Sequence, residues 1–339
     1  MTKITDVARV AGVSVATVSR TLSGSPRVAP ETRERVMEAV RRLDYRPDQV
    51  ARSLRRRRSN LIGLVVSTIE NRFFTEVAHA AEQAAHERDY NLIVCNTNED
   101  PEQEKVYLRI LDRQLVAGII LAPAPGPEAH LADYARRDIP IVLVNRRLNG
   151  LALPSITADD EEVAYQCVTT LIGEGKRRIA AIKGLPTTFT TEERLSGYRR
   201  ALGDAGLPRL TEYEADGLAT LEGGYAATLR LLRSGDPPDG VFAFNNLMVQ
   251  GAVIALQELG LRWPEDVDVA GFGASALGNF YRPPLTLVEQ PTREMGRKAV
   301  ELLVSRLEDD LTFTNDHVVL PNRLVLRQEW ERMRPVPLT

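Results

Sequence analysis

Residues 14–20 near the N-terminus, with the sequence SVATVSR, carry side chains that could contact DNA. Arg20 could donate two parallel hydrogen bonds to O6 and N7 of a guanine, a contact worth about 1–3 kcal/mol of discrimination against other bases. Val15 and Ala16 could offer only methyl groups, for example to thymine. The hydroxyl groups could bind phosphates, which position a protein on a duplex without reading its sequence; they belong to Ser14, Thr17 and Ser19. Recognition of this kind requires a helix that presents these side chains on one exposed face.

Three short helical patterns are available to position this segment, over residues 5–11, 15–22 and 30–43. The hydroxyl of Ser14 can accept a backbone N–H at the start of the second helix, and Pro30 suits the first turn of the third. Ala8, Gly12 and Val18 supply a small residue at a close helix crossing, a turn residue that tolerates positive φ, and an apolar residue that faces the core. These are the requirements of a helix-turn-helix, although a generic three-helix bundle can show the same spacing.

The net charge of −3 hides an uneven distribution. Residues 1–60 contain 14 Lys and Arg against 6 Asp and Glu, whereas the rest of the chain contains 29 against 40. A basic N-terminal region on an acidic body favours a polyanionic partner for that region alone, such as nucleic acid. The alternative is a solvated charged surface without a partner.

Residues 5–20, TDVARVAGVSVATVSR, resemble the N-terminal signature of the LacI–GalR family of bacterial transcription regulators. The similarity continues through residues 32–36 and 43–47 and into the C-terminal region, so it covers nearly the whole chain. Ala29 departs from the family, which usually has a Ser or Thr cap there, and this should slightly weaken the start of the third helix. The resemblance implies the α/β fold class, with an N-terminal all-α helix-turn-helix head and a two-lobed sensor like the periplasmic binding proteins, built on two doubly wound parallel sheets.

The same resemblance implies a sequence-specific DNA-binding regulator, a repressor, that binds a palindromic double-stranded DNA operator. The expected contact residues in the head, residues 1–46, are Thr5, Ser14, Val15, Ala16, Thr17, Ser19 and Arg20. One head reads one half-site, so a palindrome requires a two-fold homodimer. No leucine heptads follow Trp330, so the tetramerising tail of some family members is expected to be absent.

Residues 47–60 are predicted to form a hinge helix and linker. The helix-competent stretch 48–54 is too short to be stable alone in water, so we expect it to fold on DNA beside its counterpart from a second subunit. Leu54 matches the family position that inserts into the minor groove, where an apolar wedge kinks the duplex. Arg55 begins a run of four arginines that should contact phosphates and make binding steeply salt-dependent. The alternative is a linker with one surface leucine and solvated charges.

From residue 61 onward, strands alternate with helices, which predicts two parallel sheets with helices on both faces. Predicted strands cover residues 61–66, 92–95, 118–121 and 141–144 in one set, and 179–182, 241–244 and 267–270 in the other. The sensor domain, residues 61–339, would then have lobe one at about 61–158 with 290–321, and lobe two at about 160–288 with 322–339. Ligands of such sheets bind in the crevice at the carboxyl ends of the strands.

Residues just past the predicted strand ends are candidates for a small-molecule effector site: Phe73, Phe74, Asn145, Arg146, Thr190, Arg194, Asn245 and Gly273. By the resemblance, Arg194 binds effector oxygens, whereas Asn245 can equally be the cap of the following helix. Gly273 stands where the family usually has an Asp that grips sugar hydroxyls, Asn145 replaces a frequent Asp, and Ala219 falls near a usual aromatic residue. Loss of carboxylates with Arg146 and Arg194 retained predicts a positive pocket that suits a sugar acid or sugar phosphate. A neutral sugar and a degenerate effector site are the alternatives.

An enzyme is disfavoured because the chain has no P-loop, HExxH or GxSxG motif, and the glycines of residues 271–278 are misplaced for GxGxxG. We expect no catalytic residue, no metal and no cofactor. A solute-binding protein of transport type would explain the sensor but leave residues 1–60 without a role. The N-terminus lacks the layout of a secretory signal, no apolar run approaches the ~20 residues of a membrane helix, and Cys95 and Cys167 form no CxxC pair. A cytoplasmic protein without a membrane partner is therefore expected.

Overall fold

The computed structural model describes residues 4–22, 28–43, 59–126, 128–136, 139–148, 150–273, 281–308 and 317–332. The chain divides into two compact units, residues 1–59 and 60–339. Within the described ranges, no helix has the length and apolar character needed to cross a membrane. The predicted hinge residues Leu54 and Arg55 lie outside the described residues.

Among its described residues, the N-terminal unit contains three helices, which form the head: α1 (Ile4–Ala11), α2 (Val15–Leu22) and α3 (Pro30–Arg42). Their apolar faces meet in one small core, which consists of Val7, Ala8, Ala11, Val18, Val36 and Ala39. The turn between α1 and α2 contains Gly12 at a φ of 65°, the left-handed conformation that glycine adopts without steric cost. Ala29 precedes α3 without a side-chain cap, as its residue type predicted.

Lobe one of the C-terminal unit begins with alternating strands and helices in the order β1 (Leu61–Val66), α4 (Arg72–His86), β2 (Asn91–Asn96), α5 (Pro101–Arg113), β3 (Gly118–Leu121), α6 (Ala129–Ala135), β4 (Ile141–Val144) and β5 (Ser155–Ala158). These strands are apolar and mostly buried, as expected when helices cover both faces of a parallel sheet.

Lobe two follows, in the order α7 (Asp160–Gly173), β6 (Ile179–Lys183), α8 (Phe189–Asp204), β7 (Glu214–Asp216), α9 (Leu221–Leu232), β8 (Gly240–Ala243), α10 (Asn246–Glu258), β9 (Asp268–Phe272) and β10 (Thr286–Glu289). The chain then returns to lobe one as α11 (Thr292–Glu308) and β11 (His317–Leu320), and finally to lobe two as β12 (Arg323–Val325) and α12 (Arg327–Arg332). Helix α11 belongs to lobe one because Met295, Ala299 and Leu303 share a core cluster with Val77 of α4.

Each lobe holds one six-stranded sheet, in the order β11-β5-β4-β3-β1-β2 and β12-β10-β9-β8-β6-β7. All pairs of the first sheet are parallel; for example, Leu61 of β1 is opposite Asn91 of β2. The second sheet is parallel except for its edge strand β12, which pairs with β10 in the antiparallel direction. The predicted α/β class with two parallel sheets is thus confirmed, and the structure adds one antiparallel strand at the edge of the second sheet.

The chain passes between the lobes in three segments: after β5, after β10 and after β11. The first and third segments are hydrogen-bonded to each other. The backbone N–H of Asp159 donates to the carbonyl of Leu320 at 3.2 Å, and the N–H of Asn322 donates to Oδ1 of Asp159 at 2.6 Å. The first and third crossovers are therefore held side by side.

Candidate functional site

The turn before α2 fixes the orientation of the predicted recognition segment. Oγ of Ser14 accepts the backbone N–H of Thr17 at 3.1 Å and lies 2.9 Å from Oγ1 of the same residue. Before it, the N–H of Val13 donates to the carbonyl of Ala8 at 3.0 Å and closes the end of α1. Ser14 is therefore the N-cap of α2, which satisfies one of the backbone donors that every helix leaves free at its start.

The face of α2 opposite the head core is exposed. Ala16 and Arg20 are exposed on it, and Thr5 is exposed on α1. Val15 differs from the expectation, because it is half-buried and packs against the head core, which limits the methyl surface it can offer a base. The side chain of Ser19 lies outside the described residues.

A cavity of about 380 Å³ lies between the two lobes. Seven of the predicted effector-site residues line it: Phe73, Phe74, Asn145, Arg146, Thr190, Arg194 and Asn245. Gly273 does not; it lines a second, neighbouring cavity of about 530 Å³. The first cavity has the size of a small-molecule site.

Arg146 is paired within lobe one. Its Nη1 and Nη2 lie 2.7 Å from the two carboxylate oxygens of Glu99, and Nη1 also donates to the carbonyl of Pro123 at 2.8 Å. The two parallel bonds form the bidentate geometry that is the strongest arrangement of this pair. Most of the hydrogen-bonding capacity of this guanidinium is therefore engaged within the protein.

Arg194 is paired at the base of lobe two. Its Nη2 and Nε lie 2.6 and 2.8 Å from Oδ2 of Asp160, and Nη1 donates to the carbonyl of Phe244. The guanidinium carbon lies 3.6 Å from the ring centroid of Phe272, in cation–π contact. Burial lowers the pKa of the Arg194 guanidinium, and the Asp160 carboxylate opposes that shift. Arg194 thus connects α7, the segment after β8 and strand β9 within its own lobe.

The expectation of a positive pocket is wrong, because each arginine is neutralised by a carboxylate that the sequence pattern did not reveal. Glu70 and Glu222 also line the cavity, so its described lining carries no excess of positive charge. The physical basis for preferring a sugar acid or sugar phosphate is therefore removed.

Asn245 is engaged as a helix cap. Its Oδ1 accepts the N–H of Met248 at 2.8 Å, and its Nδ2 donates to the carbonyl of Ala219 at 2.9 Å. These bonds hold the loop that contains Leu218 and Ala219, both with positive φ, against the start of α10. Leu218 is 52% exposed and lines the cavity beside the position where an aromatic residue was expected. Sequence reasoning missed Leu218, because it lies in a loop whose residues show no hydrophobic periodicity.

Two family models match the two units separately. The family model described as bacterial regulatory proteins of the lacI family matches residues 3–48. The model described as periplasmic binding proteins and sugar binding domain of the LacI family matches residues 59–320. Catabolite control protein A of Priestia megaterium is 34% identical over 326 residues, which is 96% of this chain and 98% of that protein.

Two solved structures extend over both units. The complex of the transcriptional regulator CelR with cellobiose is 32% identical, covers 96% of this chain and 99% of its own, and superposes with a TM-score of 0.70. The lac repressor dimer bound to operator and the anti-inducer ONPF is 26% identical and superposes with a TM-score of 0.83. The match covers 96% of this chain and 97% of that chain.

Proposed function

This chain belongs to the LacI family of bacterial regulatory proteins, and we propose that it represses transcription by binding a palindromic operator as a homodimer under the control of a small neutral carbohydrate. The observation that carries the proposal is the capped helix α2, which exposes Ala16 and Arg20 on a head that matches the family over residues 3–48. Its relatives are regulators rather than enzymes. Because the proposed partner is an operator, the proposal includes a location in the cytoplasm.

Dimerisation follows from the symmetry of the DNA target. A single recognition helix can cover only one half-site, so a palindrome needs two heads related by a two-fold axis. The lac repressor neighbour is described as a dimer on its operator, which supports this arrangement. In the proposed complex Arg20 contacts a guanine, Thr5, Ser14, Thr17 and Ser19 position the head on phosphates, Leu54 enters the minor groove, and Arg55 adds a phosphate contact.

The chemistry of the first cavity supports a neutral, hydroxyl-rich effector. Phe73 and Phe74 present aromatic surface there, in edge-to-face contact at 4.9 Å between ring centroids. Thr190 adds a buried hydroxyl group, while Arg146 and Arg194 are held by protein carboxylates. Most of the other lining residues are polar, chiefly threonines and asparagines, whose hydroxyl and amide groups can bond to the hydroxyl groups of a sugar. The cellobiose complex of a related regulator is consistent with this class.

The effector would act by shifting the population between two conformations that differ in the angle between the lobes. Of the three crossovers that join the lobes, the first and third are hydrogen-bonded to each other through Asp159 and Asn322, so these two would move together when the angle between the lobes changes. A ligand can favour one angle only if it binds the two states with different affinity. Contacts from both lobes, such as Phe73 and Leu218, give it that differential affinity.

The DNA-binding part of the proposal is tested by selecting an operator from random palindromes and measuring affinity by fluorescence anisotropy. Arg20→Ala should weaken binding to the selected operator about 5- to 150-fold, the equivalent of about 1–3 kcal/mol, and change binding to unrelated DNA much less. Arg42→Ala, which removes the same charge from the exposed end of α3, is the matched control and should lower both affinities alike. Equal discrimination by the wild-type protein and Arg20→Ala would refute the assignment of the recognition helix.

The effector part is tested by adding neutral sugars, sugar acids and sugar phosphates to the operator complex. We expect neutral sugars to change the operator affinity and the anionic ligands to leave it unchanged. A response to acids alone would mean that Arg146 or Arg194 leaves its carboxylate partner on binding. If none of these sugars, sugar acids or sugar phosphates changes the operator affinity, the protein is a regulator with a degenerate effector site. The result of the DNA-binding test would still stand. A protein that binds sugars but no DNA would instead be a solute-binding protein.

A further inference from the structure

Two adjacent arginines follow strand β4, and their side chains go to different lobes. Asn145 precedes them with a φ of 67°, in the left-handed region that asparagine tolerates better than most residues. Arg146 is buried and bonded to Glu99 within lobe one. Arg147 is exposed, and its guanidinium carbon lies 5.0 Å from the ring centroid of Phe189 in lobe two. Arg147 therefore makes a contact between the lobes outside the three crossovers.

The lobe-two side of this contact combines an aromatic ring with a carboxylate. Phe189 is the first residue of α8 and Glu193 follows one turn later, so the two half-buried side chains lie on the same face of the helix. Burial raises the pKa of the Glu193 carboxyl, the carboxylate of Glu161 raises it further, and the guanidinium of Arg147 opposes the shift. Ring faces and carboxylates both attract guanidinium groups, so this face of α8 suits the cation of Arg147.

The contact lies beside the first cavity and is not part of its wall. Arg146 and Thr190 line that cavity, whereas their neighbours in the chain, Arg147 and Phe189, do not. A ligand in the cavity therefore need not touch this contact. Because its two sides belong to different lobes, the contact forms only when the lobes approach each other at this edge. It therefore stabilises one lobe angle relative to the others.

From this geometry we propose that Arg147, Phe189 and Glu193 form a latch that biases the angle between the lobes before any effector binds. The closed state is the one in which Arg147 contacts Phe189, and in the open state the lobes have separated at this edge. A cation–π contact at an exposed site should shift the ratio of closed to open molecules about two- to fivefold. A bias of this size favours the closed state, and an effector with a larger differential affinity can still override it. The inference goes beyond the proposed function, since the latch needs neither operator nor effector.

Double electron–electron resonance on the full chain, without operator or effector, tests the latch. Spin labels are attached at two exposed positions, Arg109→Cys on lobe one and Thr169→Cys on lobe two, and both native cysteines are buried. Labelled protein is mixed with an excess of unlabelled protein, so that most measured distances lie within one chain. Arg147→Met keeps a long side chain and removes the cation, and it should lower the ratio of closed to open molecules about two- to fivefold.

The controls separate the latch from a general effect of charge. Arg136→Met is the matched control, because Arg136 is an exposed arginine of lobe one that pairs with Asp133 in the same lobe, and its loss should leave the distances unchanged. Phe189→Leu combined with Arg147→Met should have no larger effect than either change alone, because both remove the same contact. Salt raised from about 0.1 to 1 M should lower the closed fraction of the wild type and not of Arg147→Met, since the screening length falls from about 10 to 3 Å. Circular dichroism verifies that each variant is folded.

Three results would overturn the latch. The first is an identical distance distribution in the wild type and Arg147→Met, and the second is an equal change in Arg136→Met. The third is full additivity of Arg147→Met and Phe189→Leu, which would show that the two residues act separately. A change of the lobe distances that leaves operator affinity unaltered would support the latch. It would contradict instead the coupling of lobe angle to operator binding, which belongs to the proposed function.

Discussion

Replacement of Arg194 by methionine tests whether this side chain braces lobe two or contacts the effector. The side chains of Arg194 and Asp160 are 7% and 3% exposed, so solvent screens their interaction little. Methionine removes the cation and leaves the Asp160 carboxylate buried with only the Asn322 amide, which donates to its Oδ1 at 2.9 Å. Removal of one partner of a buried ion pair costs about 3–5 kcal/mol, and we expect a loss of stability of this size.

Urea unfolding, followed by circular dichroism, measures the effect. Arg194→Met should lower the unfolding midpoint strongly, and Asp160→Asn in the same background should restore part of the loss, since the buried charge is then removed. Arg200→Met is the matched control on the same helix: Arg200 pairs with Glu161 and Glu162 at a site where 38% of its side chain is exposed. Exposed pairs contribute about 0.2–1 kcal/mol, so this change should be small.

The opposite pattern would refute the reasoning about Arg194. If Arg194→Met unfolds at the wild-type urea concentration but no longer binds any sugar, the guanidinium serves the ligand and its contacts to Asp160 and Phe244 contribute little to stability. A loss no larger than that of Arg200→Met would have the same meaning.

Three further changes test the head, the base of lobe two and its helix packing. Ser14→Ala should lower the stability of the head by about 0.5–2 kcal/mol, measured by calorimetry, because the N-cap of α2 is lost. Burial raises the pKa of the Glu174 carboxyl above its ordinary value of 4.5, and a hydrogen bond with Asp268 raises it further. The stability that this carboxyl contributes is therefore complete below pH 4.5 and is lost as the pH rises through its pKa in the folded protein. Glu174→Gln should therefore raise the melting temperature relative to the wild type at pH 8 and not at pH 4. Gly251→Ala should destabilise lobe two by about 1–3 kcal/mol, because the added Cβ would lie 2.3 Å from the carbonyl oxygen of Leu221 on α9.

Each of these changes has its own contrary outcome. An unchanged head transition in Ser14→Ala would mean that the hydroxyl contributes nothing as a cap. A gain for Glu174→Gln that is larger at pH 4 than at pH 8 would reverse the sign of the proposed proton linkage. For the glycine, Gly173→Ala is the control, since a Cβ there meets no atom within 4 Å and should stabilise α7 by about 0.5–1 kcal/mol. Equal effects at Gly173 and Gly251 would contradict the close-packing argument.

The helices of the head could be predicted from residues that are close together in the sequence. Helix α2 has the predicted bounds because its start and end depend on neighbouring residues: the cap at Ser14 and the turn at Gly12. The apolar strands of lobe one could also be predicted from their sequences, and β1, β3 and β4 have the predicted bounds. The predictions omitted five of the described strands: β5 and β10, which have four residues each and precede the first and second crossovers, β7 and β12, which have three residues each, and β11, whose side chains are largely exposed at the edge of its sheet. Strands this short do not establish a period of hydrophobicity.

The chemistry of the cleft depended on contacts that no local pattern contains. Glu99 is 47 residues from Arg146 in the chain, and Asp160 is 34 residues from Arg194. The residue types alone therefore predicted free arginines and a positive pocket, whereas the fold brings a carboxylate to each. The position of Gly273 beside the second cavity likewise depends on how β9 and β10 pair, and not on its neighbours in the sequence.

These pairings also determine how an effector can act on the hinge. Asp160, which holds Arg194, follows the first crossover directly, and its other oxygen accepts the amide of Asn322 on the third. A ligand that drew Arg194 away would leave this carboxylate buried without its cation, at the cost of several kcal/mol. A ligand that leaves the pair intact and bridges Phe73 of lobe one and Asn246 of lobe two avoids that cost and gains its differential affinity from the lobe angle itself. We therefore expect the Arg194–Asp160 pair to remain closed in both states, and the effector to select the angle by its length across the cleft.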